Sequence, residues 1–317
     1  MIEINNLSIA YGNVAVFKNA ALKVGNGKIY GVYGKTGCGK STLLSLLAGV
    51  TMPDSGSVRI NGFDTARETV SAKRCIGYCP QYIRFDGTLT VYELLTFAAD
   101  AKGVDPDRRF LHVHQIIEEL ALDGLRDRLI SRLTPLEYCR LGLAQALVGS
   151  SEILLLDEPT QGMSRSEGRE LRAYIRTLAE KGKTVFYASS EAIEINDVSD
   201  EVLILKDHTV LPATPLSELL HGQQLTLEVT GEAKKIEDAL AASGMILACR
   251  PLARERETLR YSLKTTQKTS AQALCGYLVD AGIHTLSVTE EALCEEESAL
   301  RRAAGTLKNV KKEEADA

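Results

Sequence analysis

The chain has 317 residues, of which 44% are hydrophobic and 25% charged, so it is long enough for one large globular domain and a smaller one. Its net charge of −5 argues against a broadly basic surface, and no nucleic acid partner is expected. Seven cysteines without framework spacing favour a reducing, cytoplasmic environment. No apolar run reaches the roughly twenty residues of a membrane span, so another chain must supply any membrane part.

The first strand is predicted over residues 2–9, where apolar and polar side chains alternate. Val14–Val24 predicts further hairpin-rich sheet. A short apolar run, Ile29–Val32, then leads into a glycine-rich loop, and the leucine-rich run Leu43–Leu47 follows it as a helix. The loop between them consists of Gly34, Lys35, Thr36, Gly37, Cys38, Gly39, Lys40, Ser41 and Thr42.

This strand, loop and helix form the pattern of a phosphate-binding loop. The glycines let the backbone bend around a triphosphate, and the helix N-terminus adds a partial positive charge. Lys40 can reach the β- and γ-phosphates, and the Ser41 hydroxyl can ligate Mg²⁺. The alternative is a turn that only looks like a phosphate-binding loop.

The middle of the chain has a turn at residues 53–56, a short strand at 57–60 and a helical pattern from about 90 to 146. The continuous apolar run Ile153–Leu156 predicts a buried parallel strand, which Asp157 and Glu158 close. Asp157 can hold Mg²⁺ through water, and Glu158 can polarise a water that attacks the γ-phosphate. Alternatively, the two acids are simple surface charge.

A second domain is predicted after a shift in composition near residues 212–224. Before it come a helix at 167–180, a strand at 184–188 and a hairpin of 202–205 with 210–212. Beyond it, strands at 225–229, 246–250, 258–263 and 285–288 alternate with helices at 234–242 and 270–281, and a further helix starts at 290. This β-α-β-β-α-β order is the split, ferredoxin-like arrangement. The predicted domains are therefore residues 1–222 and 223–305, followed by a charged, disordered tail at 306–317.

Over roughly residues 2–220 the chain resembles the ATP-binding subunit of an ATP-binding-cassette (ABC) transporter. The resemblance implies an α/β P-loop NTPase cassette with a mixed sheet and a helical subdomain at about 90–147. It implies that Tyr11 stacks on adenine and that Gly34–Thr42 is the Walker A loop. Gln81 then occupies the Q-loop and reaches Mg²⁺ and the attacking water, beside Asp157 and the catalytic Glu158 of the Walker B strand.

Three loops depart from the family pattern. The signature loop, usually Leu-Ser-Gly-Gly-Gln, has Pro135, Leu136 and Glu137 in its last three positions. Pro135 lacks an N–H, Leu136 adds bulk, and Glu137 brings a negative charge toward a partner's triphosphate. Ser164 stands where the D-loop usually has aspartate, and Ser190 where the switch histidine usually lies. A serine side chain is too short to reach the γ-phosphate as a histidine at this position does. Alternatively, Glu191 or a shifted register compensates for the missing histidine.

The resemblance implies a head-to-tail dimer, either of this chain or with a second ABC ATPase, that drives a separate membrane permease, in an exporter-type arrangement. The chain is then cytoplasmic and peripheral on the inner face of the membrane. Because of the altered loops, ATP hydrolysis is expected to be slow. The alternatives are a regulatory or assembly subunit that binds ATP with impaired hydrolysis, and a soluble ABC ATPase without a role in transport.

Overall fold

The computed structural model describes residues 1–149, 151–216, 224–255, 258–265, 271–290 and 299–300. The chain divides into two compact units between Leu216 and Ser217. The predicted domain boundary at residue 222, most of the predicted helix from 290 and the predicted tail lie outside the described residues.

The first unit combines two sheets with seven helices among its described residues. In chain order its strands are β1 (Ile2–Tyr11), β2 (Val14–Val24), β3 (Ile29–Tyr33), β4 (Ser55–Ile60), β5 (Phe63–Asp64), β6 (Ile76–Cys79), β7 (Ile153–Asp157), β8 (Thr184–Ser189), β9 (Glu201–Lys206), β10 (Thr209–Val210) and β11 (Thr214–Pro215). Its helices are α1 (Lys40–Leu47), α2 (Thr69–Arg74), α3 (Val91–Ala101), α4 (Pro106–Glu119), α5 (Pro135–Leu147), α6 (Arg165–Glu180) and α7 (Ala192–Val198).

The antiparallel sheet has the order β2-β1-β4-β5. Gly12, with a φ of +60°, closes the hairpin between β1 and β2. Val14–Val24 is a single strand of 11 residues and contains no further hairpin. Alternating side chains of β1, β2 and β4 are buried in one core with the apolar face of α1.

The second sheet places the chemistry-bearing loops together. Its order is β10-β9-β3-β8-β7-β6, with β11 also paired to β9. The neighbours β9, β3, β8, β7 and β6 run parallel, and every residue of β3, β7 and β8 is buried. Because carboxyl ends of parallel strands meet at one edge, the loops after β3, β7 and β8 are neighbours there.

The helical pattern predicted over 90–146 is broken into α3, α4 and α5 with 3₁₀ turns before α5. Thr90 caps α3 with Glu93 in a capping box, and each helix after a break begins at its own cap. Asp105 caps α4, whose first residue is Pro106, and Thr134 caps α5, whose first residue is Pro135. None of the helices among the described residues is both long and apolar enough to cross a membrane.

The second unit contains β12 (Gln224–Thr230), α8 (Ala233–Ala242), β13 (Ile246–Glu255), β14 (Thr258–Thr265), α9 (Ala271–Asp280) and β15 (His284–Glu290). Its sheet order, β13-β14-β12-β15, is that of the predicted ferredoxin-like arrangement. Leu225, Leu227 and Val229 of β12 pack with Ile236 and Leu240 of α8 in a separate core. β13 extends five residues further than predicted because it pairs with β14 over the whole hairpin.

Sequence periodicity missed β6, which lies beside β7 in the parallel sheet. Gly77 interrupts its apolar pattern for a steric reason. A Cβ on Gly77 would lie 2.0 Å from the carbonyl oxygen of Ala146, near the end of α5. The glycine therefore lets α5 pack directly on the strand that leads to Gln81.

We expect Gly77→Ala to lower the free energy of unfolding by about 1–3 kcal/mol, because backbone must shift to admit the methyl group. Gly124→Ala is the matched control, since a Cβ there meets no atom within 4 Å. Its effect should stay within about 0.5 kcal/mol. Urea denaturation of both variants measures the difference, and equal stabilities would contradict the packing argument.

Candidate active site

The glycine-rich loop connects β3 to α1 and leaves the N-terminus of that helix open. Gly39 occupies the N-cap position with a φ of +107°, and no side chain caps the helix. Gly37 also has a positive φ, of +82°. No acidic residue lies in the first turn of α1. Free backbone N–H groups at a helix N-terminus, without a competing carboxylate, form a site for an anion such as phosphate.

Lys40 lies inside this loop, with only 7% of its surface exposed. Its Nζ donates to the carbonyl oxygens of Gly34, at 2.9 Å, and Lys35, at 3.5 Å. The same atom is 3.7 Å from Oε1 of Glu158. The ammonium is therefore held at the centre of the loop by partial and full negative charges, where phosphate oxygens could take the place of these partners.

Asp157, the last residue of β7, has the character of a cation ligand. It is 2% exposed, and Oδ1 is buried without a hydrogen-bond partner. Burial raises the pKa of Asp157, while the Ser41 hydroxyl, Lys40 and the backbone N–H of Gln81 oppose that shift. A buried carboxylate oxygen with a free lone pair, beside a serine hydroxyl, fits Mg²⁺, which takes few protein ligands and keeps waters or phosphates.

Glu158 follows Asp157 in a left-handed backbone conformation, with a φ of +48°. Its backbone N–H donates to the carbonyl of Ala188, at 2.9 Å, which fixes the turn against the end of β8. Its Oε1 accepts from the backbone N–H of Ser190, at 2.9 Å. Burial raises the pKa of Glu158, and Lys40 and Ser190 counteract that rise. This arrangement suits a base that accepts a proton from water.

The loops enclose a cleft of about 700 Å³. Nine predicted site residues line the cleft: Tyr11, Thr36, Gly37, Gly39, Lys40, Ser41, Thr42, Gln81 and Glu158. Ser190, at the position where the family pattern has a histidine, lines it as well. Gly34, Lys35, Cys38 and Asp157 do not line it: Gly34 and Asp157 are buried, Cys38 is half-buried, and Lys35 is exposed outside the cleft. Tyr11 is 53% exposed in the cleft wall, and Gln81 Nε2 donates to Oε1 of Gln161 at 3.0 Å.

Pro135, Leu136 and Glu137 form the first turn of α5, and this helix supplies its own anion. Glu137 Oε2 accepts from the N–H of Thr134 at 2.7 Å, and Thr134 Oγ1 accepts from the N–H of Glu137, which completes a capping box. Arg128 lies 3.4 Å from Glu137 Oε1. The Thr134 N–H lowers the pKa of Glu137, so the carboxylate is ionised at neutral pH. The helix end therefore carries negative charge where the family pattern has a neutral glutamine.

The other two altered positions also have local roles. Ser164 caps α6 in a capping box with Glu167. Ser190 is exposed at the end of β8 and contacts Glu158 through its backbone. Glu191, one of the two alternatives for the missing histidine, lines the cleft, and its N–H donates to Ser189 Oγ at 3.1 Å.

Several cleft residues were not predicted from the sequence: Val16, Tyr82, Thr160, Gln161, Gly162 and Glu194. Gln161 and Gly162 were readable as the continuation of the loop after Glu158. Glu194 gave no sequence signal, because a single acid in the short helix α7 resembles solvated surface charge.

The comparisons with known proteins agree with this geometry. Residues 17–161 match the family model described as ABC transporter. The chain is 32% identical over 207 residues to the sulfate/thiosulfate import ATP-binding protein CysA of Synechocystis sp., covering 65% of this chain and 58% of that protein. It is 28% identical to the linearmycin resistance ATP-binding protein LnrL of Bacillus subtilis, covering 74% of this chain and 77% of that protein.

The chain spans 58%, 61% and 62% of the length of three of its import-named curated relatives. Two solved structures share the fold. The first is an ATP-binding subunit of an ABC transporter, with a TM-score of 0.64 and 21% identity; the match covers 69% of this chain and 91% of that structure's chain. The second is a dimeric ATP-binding cassette in a post-hydrolysis state, bound to ADP and Pi, with a TM-score of 0.62 and 22% identity; the match covers 68% of this chain and 98% of that structure's chain. Residues 17–161, the core of this P-loop α/β cassette, thus match the ABC transporter family model, and the chain is similar to the ATP-binding subunits of such transporters.

Proposed function

We propose that this chain binds Mg-ATP and hydrolyses it as the ATP-binding subunit of a transporter. The observation that carries the proposal is the meeting of Lys40, Asp157 and Glu158 at the open N-terminus of α1. A buried cation, a carboxylate with a free oxygen and a second carboxylate beside an anion site are the groups that phosphoryl transfer to water requires.

In the proposed mechanism Lys40 exchanges its loop carbonyl partners for β- and γ-phosphate oxygens. Ser41 and Asp157 hold Mg²⁺, with Gln81 beside it, and Tyr11 stacks on the adenine. Bound Mg²⁺ neutralises charge that develops on the phosphates. Glu158 accepts a proton from the attacking water. Because burial raises the pKa of Glu158, it is a better base for that step.

A membrane permease is the proposed partner, together with a second cassette in a dimer. An apolar groove of about 590 Å³ lies between the segment after α1 and the helices α2 and α3. The groove is lined by three exposed apolar side chains, Val50, Val70 and Phe97, with 64%, 68% and 68% of their surfaces exposed. Clustered exposed apolar residues mark interaction surfaces, and a permease segment on this groove would hold the chain at the cytoplasmic face of the membrane.

Export is the proposed direction. The relative named for linearmycin resistance matches this chain over 77% of its own length, more than the 58% to 62% of three import-named relatives. The proposed organisation is a cassette over residues 1–222 and an accessory domain over 223–305. The accessory domain's ferredoxin-like sheet carries no proposed catalytic residue.

A second candidate is a subunit that binds ATP and hydrolyses it poorly, with a regulatory or assembly role. Two observations favour it. The start of α5 is already neutralised by Glu137, so a partner's triphosphate would meet a carboxylate. Ser190 stands where the family pattern has a histidine, and a serine cannot carry the positive charge of that side chain. These features leave ATP binding intact and weaken the closure over the nucleotide.

We expect Lys40→Ala to weaken Mg-ATP binding at least about tenfold, because the charge-assisted contacts to phosphate are lost. Lys181→Ala, at an exposed lysine after α6, should bind as the wild type does. Isothermal titration of each purified variant measures the dissociation constant. A wild type that fails to bind Mg-ATP at millimolar concentration would refute the proposed function.

Glu158→Gln should lower the rate of ATP hydrolysis about a hundredfold or more and leave ATP binding unchanged, since the amide cannot accept the water's proton. Phosphate release measured with and without a candidate permease tests this. Wild-type turnover at a rate unaffected by the substitution would remove Glu158 from the catalytic role. A wild-type rate already near that of Glu158→Gln would favour the second candidate.

Glu137→Gln should strengthen ATP-driven dimerisation about fivefold, because it removes a negative charge facing the partner's triphosphate and keeps a capping-box acceptor. The measurement is light scattering with ATP in a Glu158→Gln background, which retains the nucleotide. Glu93→Gln is the matched control, since Glu93 holds the same capping-box position in α3. Equal dimerisation by both variants would show that the charge of Glu137 does not oppose closure.

A further inference from the structure

One carboxylate in the cleft, that of Glu194, is bonded to donors from three separate elements. Its Oε1 accepts from Thr160 Oγ1 at 2.6 Å and from the guanidinium of Arg172 at 3.1 Å. Its Oε2 accepts from Ser189 Oγ at 2.8 Å and from the Tyr187 hydroxyl at 3.1 Å. Thr160 follows β7, Arg172 lies in α6, and the other two donors lie in β8. Glu194 therefore joins the loop after Glu158 to the end of β8.

The cluster is well shielded from water. Tyr187 and Ser189 are fully buried, Thr160 is 8% exposed, and the side chain of Glu194 is 18% exposed. Asp197 holds Arg172 from the other side at 2.9 Å. Charge-assisted bonds in such surroundings are strong, and networks of them hold their members in one arrangement.

Ser189 connects this cluster to the catalytic carboxylate. Its hydroxyl donates to Glu194 and accepts from the N–H of Glu191, at 3.1 Å. The peptide N–H between them, that of Ser190, donates to Glu158 Oε1 at 2.9 Å. Because the backbone is held on both sides of Ser190, the direction of this N–H depends on the Ser189–Glu194 bond.

We propose that Glu194 is a positioning residue which, through Ser189, aims the Ser190 N–H at Glu158 and so orients the carboxylate that activates water. The inference rests on the proposed ATP hydrolysis. The Ser190 N–H, held in place by the Glu194 carboxylate through Ser189, then contacts Glu158 at the position where the family pattern has a histidine side chain.

The test compares Glu194→Gln and Ser189→Ala with Tyr187→Phe in the full-length chain. Ser189→Ala and Tyr187→Phe each remove one hydroxyl from the same oxygen of Glu194, but only Ser189 is linked to the backbone beside Ser190. Two quantities are measured: amide hydrogen exchange of residues 190 and 191, and the kcat and Mg-ATP dissociation constant of each variant.

We expect Glu194→Gln and Ser189→Ala to speed exchange of these amides and to lower kcat about tenfold each, with the dissociation constant for Mg-ATP within about twofold of wild type. The double variant should lose no more than either single one, since both break the same link. Tyr187→Phe should keep wild-type exchange at 190 and 191 and a kcat within about twofold.

Wild-type exchange at residues 190 and 191 in both Glu194→Gln and Ser189→Ala would overturn the inference, whether or not the wild type hydrolyses ATP. Faster exchange with unchanged kcat in an active protein would overturn it too. An equal loss of kcat in Tyr187→Phe would contradict the inference, because it would show that the cluster only stabilises the fold. A wild type that binds no Mg-ATP refutes the proposed function instead, and the exchange measurement still decides whether Glu194 holds the Ser190 N–H.

Discussion

The buried ammonium of Lys40 is the charge around which the site is arranged. A lysine with 7% exposure is costly to bury unless its charge is compensated. Here the compensation comes from the carbonyls of Gly34 and Lys35 and from the carboxylate of Glu158. These groups follow different strands, so the compensation exists only because β3 and β7 run parallel in one sheet and end at the same edge. The position of the lysine thus depends on the whole sheet.

The N-termini of helices α1, α3, α5 and α6 are of two kinds. Helices α3, α5 and α6 each begin with a capping box in which their own glutamate satisfies the free N–H groups: Glu93, Glu137 and Glu167. Helix α1 begins at Gly39, with no side-chain cap and no acid in its first turn. The difference decides which helix end can receive a phosphate group. It also explains why the altered loop at the start of α5 is stable as a fold, and in the proposed dimer this loop would bring a carboxylate toward the partner's nucleotide.

The positions of Glu158 and Glu194 show why local sequence pattern recovered one of these acids and not the other. Glu158 ends a continuous apolar strand, and adjacent acids at that place are a recognisable pattern. Glu194 lies in a seven-residue helix and acquires its meaning from Thr160, Arg172 and Ser189, which are 34, 22 and 5 residues away in the chain. In the same way β6 escaped detection, because Gly77 is required by the backbone of Ala146, 69 residues later. Long-range contacts of this kind leave no periodic trace.

The sequence by itself determined the glycine-rich loop, the strand that ends in Asp157 and Glu158, the β-α-β-β-α-β order of the second unit and the departures at Pro135, Leu136, Glu137, Ser164 and Ser190. Each of these depends on neighbours within a few residues, where turn geometry, capping and apolar periodicity act. Only the tertiary structure decided that the Lys40 ammonium meets Glu158, that Asp157 keeps a buried oxygen free, and that the Ser190 backbone contacts the carboxylate of Glu158. Those contacts arise where parallel strands distant in sequence end side by side, and their distances and burial exist only in the folded chain.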